Sequence, residues 1–166
     1  MTSSDLYFKE IPSPVGTLKL VANDQSLIAI LWENDDPMRV ELDEMTQNEK
    51  HPMLLKTEVQ LNEYFAGTRT AFDLPFECMG TEFQIQVWST LYQVPFGTLQ
   101  SYEDIAIQIG RPKAVRAVGT AVGKNPLSII VPCHRIVRKD GLLTGFAGSI
   151  EVKEALLAHE KISFKK

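Results

Sequence analysis

Between residues 81 and 126 the sequence is punctuated so closely that it leaves room only for short helices. Thr81 with Gln84 three residues later is a capping-box pattern, and Phe83, Val87, Trp88 and Leu91 supply the apolar face of a helix that must stop before Pro95 and Gly97. Ser101 with Asp104 repeats the pattern and opens a second helix through Ile105, Ala106 and Ile109 to Gly110. Pro112 then suits the first turn of a third helix, striped by Val115, Val118 and Val122 and ended by Gly123, Asn125 and Pro126. Helix, a two-residue turn at Gly110-Arg111, helix: this is the spacing of a helix-turn-helix. The β-branched run Ile129, Ile130, Val131, followed by Cys133 to Val137 and a turn at Asp140-Gly141, predicts a strand and hairpin, as in winged-helix domains. A last helix over 150–161 turns Leu156 and Leu157 inward.

The first half is read differently. Residues 6–9, 17–22 and 27–32 predict short strands of a three-stranded meander, with turns at Gly16 and Asn23-Asp24. Residues 33–51 are acidic and weakly patterned, a loop or a ragged helix. Leu54, Leu55, Val59, Leu61, Tyr64 and Phe65 form the apolar face of a helix ended by Gly67, and 72–80, around Pro75, is a linker. The expected fold class is therefore α+β. A small N-terminal three-stranded sheet with a helix occupies 1–79, and a winged helix-turn-helix domain occupies 80–166. An apolar content of 44% is enough for a core. No apolar run approaches the ~20 residues of a membrane span, and the N-terminus lacks the build of a signal peptide, so the expectation is a cytoplasmic protein.

The net charge of −4 hides an asymmetry. Residues 1–79 carry six basic and 14 acidic side chains, residues 80–166 carry 11 and seven, and seven basic residues lie between Asp104 and Asp140 without an acid. These are Arg111, Lys113, Arg116, Lys124, Arg135, Arg138 and Lys139. Such a stretch suits a polyanion, or it is a solvated basic surface. Lys113, Arg116 and Thr120 lie opposite the valine stripe on a helix rich in Ala and Gly, a composition that serves close approach to DNA or tight helix packing.

Cys78 and Cys133 are the two cysteines, and no spacing offers a metal site, so reduced thiols and no cofactor are expected. A cysteine in a β-branched stretch is commonly a small hydrophobe. Here Pro132 breaks the strand before Cys133, the nearby Arg135, Arg138 and Lys139 favour thiolate over thiol, and His134 can act as base through a water if a carboxylate such as Glu160 orients it. A Cys-His-Glu relay says nothing of what the thiolate attacks.

The run Val131-Pro132-Cys133-His134-Arg135-Ile136 resembles the active-site signature of the O6-alkylguanine-DNA alkyltransferases, also called methylated-DNA–protein-cysteine methyltransferases. The likeness extends through Phe96-Gly97-Thr98, Ser101-Tyr102, Arg111 to Gly119, Asn125-Pro126, Thr144 to Gly148, and Lys153 to Glu160, and more loosely through residues 12–16 and 64–67. The resemblance implies single-turnover repair of duplex DNA containing alkylated guanine by a monomer, with a ribonuclease-H-like first half. The substrate is O6-methylguanine above all, with O4-methylthymine as a second candidate. It implies Cys133 as acceptor, His134 and Glu160 as its relay, and Tyr102 as the residue that bonds the flipped base. Arg116 fills the gap in the stack, and Asn125 braces the turn before the active-site segment. Arg111, Lys113 and Lys139 are DNA contacts; Ile136, through its carbonyl, and Phe146, Ala147 and Gly148 form the base pocket. Ala147 stands where many members have serine, and Ser149 where glycine is common. Three rivals share parts of the pattern: a lesion binder, in which the cysteine would be replaced, a Cys-His-Glu hydrolase, and a winged-helix regulator.

Overall fold

The computed structural model describes residues 5–144 and 146–165. Strands β1 (Leu6–Ile11), β2 (Leu18–Ala22) and β3 (Leu27–Trp32) form the expected antiparallel meander. The sheet has a fourth strand, however: β4 (Met45–Gln47) adds parallel to β1, giving the order β3-β2-β1-β4. This corrects the three-stranded reading; within 33–51 the rest of the segment is the expected loop, and β4 is its one strand. Three residues are too few to display an alternation, and what holds them is the ladder of an open edge. The opposite edge, β3, is covered by returning chain: Leu27 N donates to Pro75 O (2.9 Å), and Ile30 N donates to Pro126 O (2.9 Å).

Helix α1 (Pro52–Ala66) starts on a His51 cap, with Pro52 in its first turn, and ends where Gly67 adopts φ 83°. It buries Leu54, Leu61 and Tyr64. Both predicted capping boxes are present, Thr81 opening α2 (Glu82–Tyr92) and Ser101 opening α3 (Tyr102–Gln108). The third helix, α4 (Val115–Gly123), begins later than Pro112. Ala114 N bonds Arg111 O (2.9 Å), so Pro112 sits in a turn, and the connection between α3 and α4 spans 109–114 rather than two residues.

Of the strand predicted after α4, the part over 129–135 is not extended. Ile129 takes φ 75°, a strained value for a β-branched residue, and Cys133–Arg135 form a single 3₁₀ turn. What remains of the sheet is β6 (Ile136–Val137), which pairs in parallel with β5 (Gln100–Ser101). The turn at Asp140-Gly141 is present, closed by Gly141 N to Arg138 O (2.8 Å). Helix α5 (Ile150–His159) buries Leu156 and Leu157 as expected. One apolar core runs through both halves, from Leu20 and Ile30 to Trp88, Val118 and Ile136. No described helix is long and apolar enough to cross a membrane.

Candidate active site

Asn125, 1% exposed, organises the segment that carries the cysteine. Its Nδ2 donates to Val131 O (2.8 Å) and its Oδ1 accepts from Leu127 N (3.0 Å), which ties the exit of α4 to the start of the 3₁₀ turn. Cys133 lies 5% exposed at a cavity of about 210 Å³ lined by Arg39, Tyr102, Gly119, Asn125, Phe146, Ala147 and Lys153. Burial pushes its thiol up, while the Asn125 amide and the cations Lys153 and Arg39 pull the other way. Thus the charges acting on the thiol are not the three assigned to it from sequence. Arg135 is buried in an ion pair with Glu160, exposed Arg138 pairs with Asp140 (2.9 Å), and exposed Lys139 pairs with Glu103 (3.2 Å).

Glu160 is the electrostatic centre. Its Oε1 accepts from Arg135 Nε (2.8 Å) and Gly97 N (3.1 Å). Its Oε2 accepts from Tyr64 Oη (2.6 Å), Arg135 Nη2 (3.0 Å) and His134 Nε2 (2.7 Å). Burial by itself would raise this carboxyl, but the bonds from His134, Arg135 and Tyr64 outweigh it and hold the group far below the usual carboxylate range. An ionised carboxylate only accepts, so His134 carries its proton on Nε2. Burial lowers the imidazole's basicity, against the pull of Glu160, and keeps the ring neutral. Nδ1 therefore holds the lone pair, and it is the one buried side-chain polar atom among the described residues without a hydrogen-bond partner. A neutral imidazole fixed in this tautomer is equipped to accept a proton at Nδ1.

Tyr102, at the start of α3, lines the cavity and shares a 2.6 Å hydrogen bond with Thr144. Phe146 and Ala147 line it too, whereas Gly148 faces the indole of Trp32 so closely that an added Cβ would stand 2.7 Å from the ring. The carbonyl of Ile136 already accepts from Lys153 Nζ (2.7 Å). Arg116 and Lys113 are exposed away from the cavity lining, and exposed Arg111 lies over the Phe83 ring. The small residues of α4 divide: Ala121 packs inward, with its carbonyl taking the Trp88 indole N–H (2.8 Å), and Gly119 faces the Tyr102 ring. Sequence reasoning misses Lys153, Arg39, Tyr64 and Trp32. Lys153 has a signal, since 150, 153 and 157 share one face of α5; Arg39, in an irregular segment, has none.

A buried cysteine next to a carboxylate-anchored histidine, at a cavity lined by α3 and α4, where the basic residues Arg111, Lys113 and Arg116 of their connection and of α4 are exposed, defines a protein equipped for thiol chemistry beside a basic helical surface. The comparisons make this specific. Residues 82–162 match the family model described as 6-O-methylguanine DNA methyltransferase, DNA binding domain, and residues 6–78 match its ribonuclease-like domain. The constitutive methylated-DNA–protein-cysteine methyltransferase of Bacillus subtilis is 44% identical over 163 residues, covering 96% of this chain and 98% of the relative. The Haemophilus influenzae methylated-DNA–protein-cysteine methyltransferase is 41% identical, with 96% and 88% covered. The crystal structure of Mycobacterium tuberculosis OGT in complex with DNA superposes with a TM-score of 0.87 at 41% identity, covering 93% of this chain and 92% of that one. The chain belongs to the 6-O-methylguanine DNA methyltransferase family.

Proposed function

We propose that this protein repairs DNA by moving an alkyl group from O6 of guanine to Sγ of Cys133, once per molecule. The observation that carries the reading is the Glu160-anchored His134, its Nδ1 free of any partner, adjoining a cysteine at the cavity behind α4. A target atom inside a duplex is unreachable, so the guanine is flipped into the cavity, with Arg116 filling the gap and Arg111, Lys113 and Lys139 holding phosphates. The thiol proton passes through a water to His134 Nδ1, and the thiolate attacks the alkyl carbon. The S–C bond forms as the C–O6 bond breaks, a donor such as Tyr102 relieves the charge that develops on the departing guanine, and the proton taken by His134 returns through water to neutralise it. Phe146, Ala147 and Gly148 close over the base, and the Ile136 carbonyl, with a second lone pair beside the one Lys153 uses, meets its amino group.

The product thioether is inert, so the acceptor is consumed. Cys78, whose thiol burial pushes up to about 11, is a spectator. On this reading the protein acts as a cytoplasmic monomer on alkylated double-stranded DNA without a cofactor, with units over 1–79 and 80–166. The test is incubation with excess O6-methylguanine DNA followed by mass analysis. One added methyl per chain, mapped to the peptide of Cys133 and lost in Cys133→Ser, is expected. Sustained turnover, or a methyl on Cys78, overturns the assignment.

A further inference from the structure

The relay carboxylate is held partly by the other half of the chain. Tyr64 belongs to α1, yet its hydroxyl is 2.6 Å from Glu160 Oε2, the same oxygen that receives His134 Nε2 at 2.7 Å. The phenol is fully buried, in ring contact with Phe65, Phe72, Phe96 and His159, and His159 Nε2 donates to the Tyr64 carbonyl (2.6 Å). The ring is therefore held on both sides, and its hydroxyl has one place to donate.

We propose that Tyr64 is a positioning residue of the alkyl-transfer site: by sharing Glu160 Oε2 with His134 it drains charge from that oxygen and keeps the imidazole neutral, with its lone pair on Nδ1. Two hydrogen bonds to one carboxylate oxygen compete, because each lowers the electron density left for the other. Without the phenol, Oε2 pulls harder on His134 Nε2–H and favours the imidazolium, which has no lone pair to take a thiol proton. The other charged groups that bear on His134 are Arg135 on its own turn and Lys153 on α5. Arg135 and Lys153 oppose the imidazolium, so Tyr64 acts in the same direction as both. This inference rests on the reading of Cys133 as acceptor and His134 as base.

The test follows the ring nitrogens of His134 by long-range ¹H–¹⁵N spectra across pH in the full chain. The proteins are wild type, Tyr64→Phe, and protein with 3-fluorotyrosine installed at Tyr64, which keeps the hydroxyl and makes it a stronger donor. The imidazole midpoint is expected to rise by roughly one pH unit in Tyr64→Phe, the size of one charge-assisted hydrogen bond shared between two partners, and to fall with fluorotyrosine. Single-turnover transfer by Tyr64→Phe should slow about tenfold on the acid side and match wild type on the alkaline plateau. If Tyr64→Phe does not fold, the fluorotyrosine protein decides alone. A ring titration indifferent to both changes, in protein that transfers methyl groups, overturns the role of Tyr64. Wild-type protein that leaves O6-methylguanine DNA untouched overturns the alkyl-transfer reading instead.

Discussion

Replacing Arg135 by methionine keeps an unbranched apolar stem and deletes the guanidinium and its charge. Glu160, whose side chain is 0% exposed, would lose two charge-assisted hydrogen bonds, of 2.8 and 3.0 Å, and Val94 O would lose its 2.6 Å donor. Breaking a buried pair by removing one partner costs about 3–5 kcal/mol, because the remaining charge is uncompensated. Tyr64, Gly97 and His134 still donate to Glu160, and His134 can take up a proton to replace the lost cation, which places the expected cost near the lower end, about 3 kcal/mol. For a chain of this size that corresponds to a fall in Tm of about 6–12 °C. Equilibrium urea unfolding, followed by the fluorescence of Trp32 and Trp88, measures it. The folded carboxyl is depressed, so its contribution is complete above the unfolded value near 4.5 and is lost as pH falls through the folded value, far below. The difference between wild type and Arg135→Met should therefore be full at about pH 7 and shrink near pH 3. A loss below about 1 kcal/mol, or one that does not change between those pH values, would refute the claim that Arg135 compensates an ionised Glu160.

Ser149 takes φ 105° and ψ 159°, a region populated almost solely by glycine, and its Oγ accepts the Val152 N–H at 3.3 Å as the cap of α5. Strain of about 1–3 kcal/mol outweighs a cap loss of a few tenths and the added freedom of glycine, so Ser149→Gly should gain about 1 kcal/mol in thermal unfolding. A lower Tm would contradict the strain. Lys153→Met should slow alkylation of Cys133 by iodoacetamide at neutral pH roughly tenfold, because it removes a cation that favours the thiolate. Burial lowers Lys153 to about 8, so the wild-type advantage should be present below that pH and fade above it; an advantage independent of pH would count against the charge. Arg116→Ala should impair repair of duplex DNA far more than reaction with the free alkylguanine base, and equal losses on both would exclude a role in extrusion.

What the sequence discloses depends on how far apart the interacting groups lie. The caps of α2 and α3 are legible because Thr81 and Ser101 each bond an amide three residues away. The pairing of His134 with Glu160 is legible because the chemistry of the residue types, with the family resemblance, names both partners. Strand β4 is hidden, since it is held by a ladder to β1, some 39 residues earlier along the register, and not by its own pattern. The strand predicted over 129–131 fails because Ile129, Ile130 and Val131 are β-branched for burial, not for a ladder: all three are 3% exposed or less. Arg135 reads as surface charge until its partner 25 residues on is known. Tyr64 reads as core for the same reason, since its acceptor lies 96 residues further along.

The five hydrogen bonds that converge on Glu160 come from groups preceding it in the chain by 25 to 96 residues. Synthesis runs from the N-terminus, so every donor is made before the acceptor. A nascent chain that has reached Arg135 carries Cys133 beside an imidazole with no carboxylate to choose its tautomer, and Arg135 itself is still solvated. Long-range contacts of this kind form late in folding, when the loops between them have closed. On the proposed reading the site is therefore completed last: until α5 docks, His134 has no carboxylate to fix its tautomer and Cys133 lacks the Lys153 cation that opposes the effect of its burial.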